Sequence, residues 1–190
     1  MAKQDYKEIE IKFQINDLAS FERKILDLGG KTSGEFFQKT TRFDTPNSDL
    51  KKKGLFLRVR TGDKNTLTVK RKTKKDAIYK ERDEWEVEVN DTKTVTEMLK
   101  VLGYAKLLVM EKYRKSYTFP NSPDLIVTID RLPFGNFTEI EGNKEKIEKI
   151  IEELDLQDKG RITTTYWKLH EDFNKEHGLT EENIVFSDKN

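Results

Sequence analysis

The residues most able to do chemistry in this sequence are charged side chains placed at every second position. Glu8, Glu10 and Lys12 alternate with Ile9, Ile11 and Phe13. Arg58 and Arg60 alternate with Leu57 and Val59, Lys70 and Lys72 follow Leu67 and Val69, and Glu84, Glu86 and Glu88 alternate with Trp85, Val87 and Val89. Lys112 and Arg114 come next, then Thr128 and Asp130 beside Val127 and Ile129, then Glu139 and Glu141 around Ile140. A spacing of two puts side chains on one face of a β-strand, so each strand offers one apolar and one charged face. Taken singly, such stripes describe an open antiparallel sheet with one wet face. The charges, however, come in pairs of like sign, which repel along a strand. Such pairs make sense where each faces a ligand, or an opposite pair, across an enclosed space.

The chemistry that suits this set is phosphoryl transfer. Lys12, Arg58, Arg60, Lys70, Lys112 and Arg114 supply cations, Arg as a rigid fork for phosphate oxygens and Lys as a point charge. Glu8, Glu10, Glu139 and Glu141 supply hard oxygen donors for Mg2+ or Mn2+. A polyanion with a divalent cation would give both rows a use, because a charged interior is costly unless its charges are paired. Other motifs for this chemistry are missing from the sequence: there is no GxxxxGK[ST] loop, GxGxxG loop, HExxH or Gly-flanked serine. Cysteine is absent, which excludes thiolate sites and disulfides. His170 and His177 stand seven apart and read as residues of a surface helix, since a helical ligand pair needs a spacing of four.

The elements that must position these residues are short strands and a few amphipathic helices. Strands are predicted at 7–14, 35–44, 55–60, 66–72, 83–89, 105–119, 124–131 and 137–141. Helices are predicted at 17–28, with Leu18, Phe21, Ile25 and Leu28 inward, and near 93–102, with Val95, Met98, Leu99 and Leu102 as the buried stripe. Two more fall at 144–154 and about 164–177. Residues 72–80 read as a basic loop, Arg71 and Lys72 read as solvated with it, and Trp85 and Trp167 read as core. A strand ending in a helix with LDLGG recurs as a strand ending in a helix with KVLGY, a weak internal repeat. So many strands suit a barrel, which removes its own edges. The predicted fold is α+β: a closed eight-stranded antiparallel barrel, charged inside, with helices packed outside. Residues 1–177 form one domain, and 178–190 a loosely attached tail in which Ile184, Val185 and Phe186 are able to dock.

Composition sets the outer limits. The chain has 190 residues, 34% hydrophobic and 37% charged, enough for one core with an unusual load of charge. Its 36 basic and 35 acidic residues leave a net charge of +1, which gives no support for a nucleic-acid or membrane partner. No run reaches membrane-spanning length and no apolar leader is present, so a cytoplasmic protein, monomer or homodimer, is expected.

Glu8-x-Glu10-x-Lys12 resembles the ExExK motif of the CYTH superfamily, the triphosphate tunnel metalloenzymes. Arg58-x-Arg60, Lys70, Arg82-x-Glu84-x-Glu86, Lys112-x-Arg114, Asp130 and Glu139-x-Glu141 resemble the later motifs in order, and TTYWKL resembles the late SYxxL-type stretch. The match covers about residues 6–170. The resemblance implies a tunnel that holds triphosphate through Lys12, Arg58, Arg60, Lys70, Lys112 and Arg114. It implies one or two divalent metals on Glu8, Glu10, Glu139 and Glu141, with Asp130 as metal ligand, supporting group or turn residue. Glu8, Glu10, Lys12, Glu84 and Glu86 would be catalytic, Glu84 and Glu86 equally well by pairing with the lumen's cations.

The tunnel leaves the nucleophile open. The fuller acidic set favours a triphosphatase acting on inorganic triphosphate, a nucleoside triphosphate such as ATP, or thiamine triphosphate. The alternatives are an adenylyl cyclase forming cyclic AMP and pyrophosphate, and a module that binds polyphosphate without turnover. An oligonucleotide-binding barrel would want exposed aromatics beside the basic residues, and here only Phe36 and Phe37 qualify.

Overall fold

The computed structural model of the protein describes residues 7–73 and 78–187. The middle of the predicted basic loop, the first six residues of the predicted domain and the last three of the tail lie outside the described residues.

Alternation produces strands wherever it was read. They are β1 (Lys7–Gln14), β2 (Lys31–Asp44), β3 (Leu55–Thr61), β4 (Thr66–Lys72), β5 (Lys80–Glu88), β6 (Ala105–Phe119), β7 (Ser122–Leu132) and β8 (Gly135–Glu141). All pairings are antiparallel and the sheet closes in the order β1-β5-β4-β3-β2-β6-β7-β8, with β8 returning to β1. Exchanging β1 with β5, β2 with β6, β3 with β7 and β4 with β8 reproduces the same ring, so the weak sequence repeat has a topological counterpart. Strand β2 starts four residues earlier than predicted, because a register shift between Thr32 and Glu35 interrupts its alternation.

The helices are α1 (Leu18–Asp27), α2 (Asp49–Lys52), α3 (Thr92–Val101), α4 (Lys144–Glu153) and α5 (Tyr166–His177). The N-caps Asp17, Asp91, Asn143 and Thr165 each accept a backbone N–H of the first turn of α1, α3, α4 and α5. Helices α1 and α4 lie side by side on the apolar outer face. Phe21, Ile25, Ile147, Ile150 and Ile151 pack there on Ile11, Phe13, Val127, Ile129 and Ile140. Full burial of each aliphatic side chain contributes roughly 1.5–3 kcal/mol.

Helix α3 differs from the prediction. Only Leu99 of its expected stripe is buried, against Phe43, Leu57 and Val59, while Met98 and Leu102 stay 59% and 69% exposed. It packs on β3 and β6, whereas the buried residues of α1 and α4 share one core cluster. The four-residue α2 was not predicted, being too short for periodicity. The buried Asp44 carboxylate holds its start by accepting from the N–H groups of Leu50 and Lys51.

The C-terminal parts are more firmly attached than the sequence suggested. Ile184 is fully buried and bridges Met110 in parallel, and Ile184 and Val109 or Glu111 exchange hydrogen bonds of 2.9 and 2.6 Å. Pairing with β7 covers β6 only from Tyr113 onward, so the tail covers the stretch of edge left over. His170 is buried against Phe134 rather than on a surface face.

Candidate functional site

The even-numbered residues of β1, β3, β4, β5 and β6 and the odd-numbered residues of β8 point into the ring. They enclose a cavity of about 460 Å³. Of the thirteen residues predicted from sequence, twelve line it: Glu8, Glu10, Lys12, Arg58, Arg60, Lys70, Glu84, Glu86, Lys112, Arg114, Glu139 and Glu141. Residues from six strands thus meet in one space. The lining also includes Lys80 and Arg82, giving eight cations against seven carboxylates with Asp63 counted.

These charges are paired across the ring. Lys12 Nζ donates to Glu139 Oε1 at 2.6 Å and to Glu10 Oε1 at 3.3 Å. Lys70 bridges Glu8 at 2.7 Å and Glu84 at 2.8 Å. Arg58 reaches both Glu84 and Glu86 at 3.4 Å, and Arg60 reaches Glu86 at 3.2 Å. Lys80 pairs with Glu10, and Arg114 with Glu139. Thr68 fixes one end of this lattice, donating to Glu86 at 2.7 Å while accepting from Arg58 Nε at 3.1 Å. Glu84 and Glu86 therefore hold Arg58, Arg60 and Lys70 in place, one of the two roles the sequence left open.

Asp130 is the exception among the predicted residues. It is fully buried but does not line the cavity. It receives Lys112 at 2.9 Å, Arg114 Nε at 2.6 Å and the Tyr166 hydroxyl at 2.8 Å. Three donors leave this carboxylate behind the lumen wall, where it anchors two of the cations. Tyr166 at the start of α5 entered the sequence reading only as part of TTYWKL, with no role assigned to it. Its ring lies 4.7 Å from Lys12 Nζ and 5.4 Å from Lys112 Nζ, beneath two ammonium groups. Trp167, read as core, lines the cavity next to Phe56, 5.9 Å away between ring centroids. Lys80, read as loop, sits on β5 with the same parity as Glu84 and Glu86, a signal the strand's true start would have supplied. Arg71 and Lys72 are exposed as expected.

The electrostatics divide the carboxylates into two groups. Burial would raise Glu10 and Glu139, but Lys80 and Lys12 outweigh it at Glu10, and Lys12 and Arg114 outweigh it at Glu139, so both stay ionised. Burial pushes Glu8 up to about 8, with Lys70 opposing and Glu10, Glu84 and Glu141 adding to the rise. Burial likewise pushes Glu141 up to about 6, with Glu10 and Glu84 among the groups that raise it. Among the cations, burial and then Arg114 bring Lys112 down to about 7. Among the described residues, no three carboxylates or imidazoles converge closely enough to hold an ion as they stand. Yet Glu10 lies directly opposite Glu141 between β1 and β8, Glu10 and Glu141 both raise the pKa of Glu8, and Glu10 raises that of Glu141. Such mutually repelling oxygen donors fit a hard divalent cation.

No described helix is long and apolar enough to cross a membrane. The chain matches the CYTH domain model over residues 6–174. It is 29% identical over 151 residues to a Methanocaldococcus jannaschii protein whose name proposes an adenylate cyclase, spanning 77% of this chain and 85% of that one. The structure is similar to the PH1819 protein of Pyrococcus horikoshii OT3, with a TM-score of 0.72, 26% identity, and 87% and 98% of the two chains covered. It also shares its fold with a Hippeastrum protein, at a TM-score of 0.60, 18% identity, and 92% and 97% coverage; that protein is described as a proposed adenylyl cyclase with dominant triphosphatase activity. With the family model matching residues 6–174, most of its length, this chain belongs to the CYTH domain family.

Proposed function

We propose that the protein is a divalent-metal-dependent triphosphatase. The observation that carries this reading is the convergence of Lys12, Arg58, Arg60, Lys70, Lys112 and Arg114 on one enclosed cavity that also holds Glu8, Glu10, Glu139 and Glu141. The six cations bind the phosphate chain and stabilise charge that builds on its oxygens as the terminal bond breaks. Glu8, Glu10, Glu139 and Glu141 supply the oxygens for Mg2+ or Mn2+, which when bound neutralises phosphate charge and lowers the pKa of coordinated water. Asp130 and Tyr166 keep Lys112 and Arg114 aimed into the cavity. A water attacks the terminal phosphorus, the bond to the bridging oxygen breaks, the proton passes to a lumen carboxylate, and orthophosphate leaves. The walls hold the chain in line, so catalysis rests on positioning and electrostatics.

The second reading is cyclisation, favoured by the name of the M. jannaschii relative. There a ribose 3′-hydroxyl attacks the α-phosphorus and pyrophosphate leaves. Product analysis separates the two. The protein is incubated with inorganic triphosphate, ATP or thiamine triphosphate and either Mg2+ or Mn2+. Release of orthophosphate supports the proposal, and cyclic AMP with pyrophosphate supports the second reading. Binding without turnover of any of the three overturns both in favour of a polyphosphate-binding module.

A further inference from the structure

One polar pair in the lumen has no use for phosphate. Gln38 on β2 points inward, is only 4% exposed and lines the cavity, opposite Lys112 in the strand register. Its Nε2 donates to Asp63 Oδ1 at 2.9 Å, in the turn between β3 and β4. That bond fixes the amide, because the flipped orientation would set its oxygen against a carboxylate oxygen. The atom left over is Oε1, which is buried and receives no hydrogen bond. Gly62 leaves room for the side chain: a Cβ there would come within 2.9 Å of Gln38 Cγ. In the same cavity, Arg60 Nε is a buried donor with no acceptor.

A phosphate chain suits only one of these two atoms. Its oxygens are acceptors, so they satisfy Arg60 Nε, while Gln38 Oε1 and the Asp63 carboxylate face them as further acceptors. A buried acceptor without a donor carries its full desolvation cost. A substrate that joins phosphate oxygens to an N–H or O–H group satisfies both atoms. A site built to receive such a hydrogen bond discriminates against ligands that lack it.

We propose that Gln38, oriented by Asp63, is a specificity-determining residue. It accepts a hydrogen bond from a hydroxyl or amino group of a nucleoside carried on the triphosphate, so that the site favours a nucleoside triphosphate over inorganic triphosphate. This rests on the reading of the cavity as a triphosphate site.

The test compares ATP with inorganic triphosphate at one Mn2+ concentration. For the wild-type chain, Gln38→Met and Asp63→Asn, kcat/KM and the dissociation constant of each substrate are measured. Gln38→Met keeps the volume and removes the acceptor. It is expected to lower the ATP-to-triphosphate selectivity ratio by about tenfold, as for the loss of one buried hydrogen bond. Asp63→Asn, which frees the amide to turn, is expected to lower the same ratio by less. An unchanged ratio in both variants overturns the inference, including the case of an equal loss for both substrates. Thermal melting shows whether Gln38→Met folds; if it does not, the Asp63→Asn ratio decides. A wild-type protein that binds both substrates without turning over either overturns the enzymatic reading alone, and the ratio of dissociation constants then decides the inference. A wild-type protein that binds neither overturns both.

Discussion

The Tyr166 hydroxyl donates to Asp130 at 2.8 Å from the first turn of α5, so the C-terminal helix is tied to the carboxylate that anchors Lys112 and Arg114. Removing the hydroxyl alone separates this bond from the stacking of the ring beneath the ammonium groups of Lys12 and Lys112. Tyr166→Phe is expected to cost about 1 kcal/mol of stability and to lower turnover a few-fold. Tyr166→Leu, which also removes the ring, is expected to lower triphosphate affinity further by a similar factor. Melting curves and KM measured side by side check this; equal behaviour of the two variants would remove the ring from the argument.

Asp130→Ala strips the shared partner from two buried cations. Breaking a buried charge network by removing one member costs about 3–5 kcal/mol. The expected signature in urea unfolding is a large loss of stability, with the metal preference of the remaining activity unchanged. A stable Asp130→Ala protein with an altered metal requirement would instead return Asp130 to the metal ligands.

Arg58 and Glu139 stand on β3 and β8, on cation and carboxylate sides of the proposed chemistry. Arg58→Ala is expected to weaken triphosphate binding by about tenfold or more, the loss of a charge-assisted contact. Glu139→Ala is expected to cut turnover by about a hundredfold and to raise the metal concentration needed. Full activity in both variants would show that the assigned site is wrong.

Lys112 gives a pH dependence with a defined sign. Burial and Arg114 bring its ammonium down to about 7. Below that pH it is charged before the ligand arrives. Above it, the neutral amine must take up a proton on binding. Triphosphate affinity is therefore expected to fall as pH rises through 7, by up to about tenfold per pH unit for one linked proton. Lys112→Arg stays charged throughout and should flatten the slope. Titrating both proteins with the same ligand cancels the ligand's own ionisation, and parallel slopes would exclude Lys112 as the source.

Much of the lumen was legible because strand parity is a local rule: once Ile9, Ile11 and Phe13 face outward, Glu8, Glu10 and Lys12 must face in. Parity does not say how deep a residue lies, which is why the sequence left Asp130 open between metal ligand, supporting group and turn residue, while three donors hold it behind the wall. Gln38 and Asp63 are twenty-five residues apart and meet only when β2 pairs with β3, so no pattern joined them. Helix stripes told which residues were apolar but not whether a neighbour would cover them. Leu99 and Met98 of α3 look alike in the sequence and end at 8% and 59% exposure. The tail carried three apolar residues with no period, and its docking became visible only with the uncovered edge of β6.

The internal pairing of the lumen has a thermodynamic consequence. Glu8, Glu10 and Glu139 are each held by a lysine, so a guest that uses these groups must displace part of their pairing. Each phosphate oxygen that takes a lysine away releases a carboxylate, and each ion that takes a carboxylate releases a lysine. The two guests enter by partner exchange, and each raises the affinity of the other by the same factor. Each guest offered alone should therefore bind more weakly than in the presence of the other, and the cooperativity resides in a salt lattice that must be broken before it can be reused.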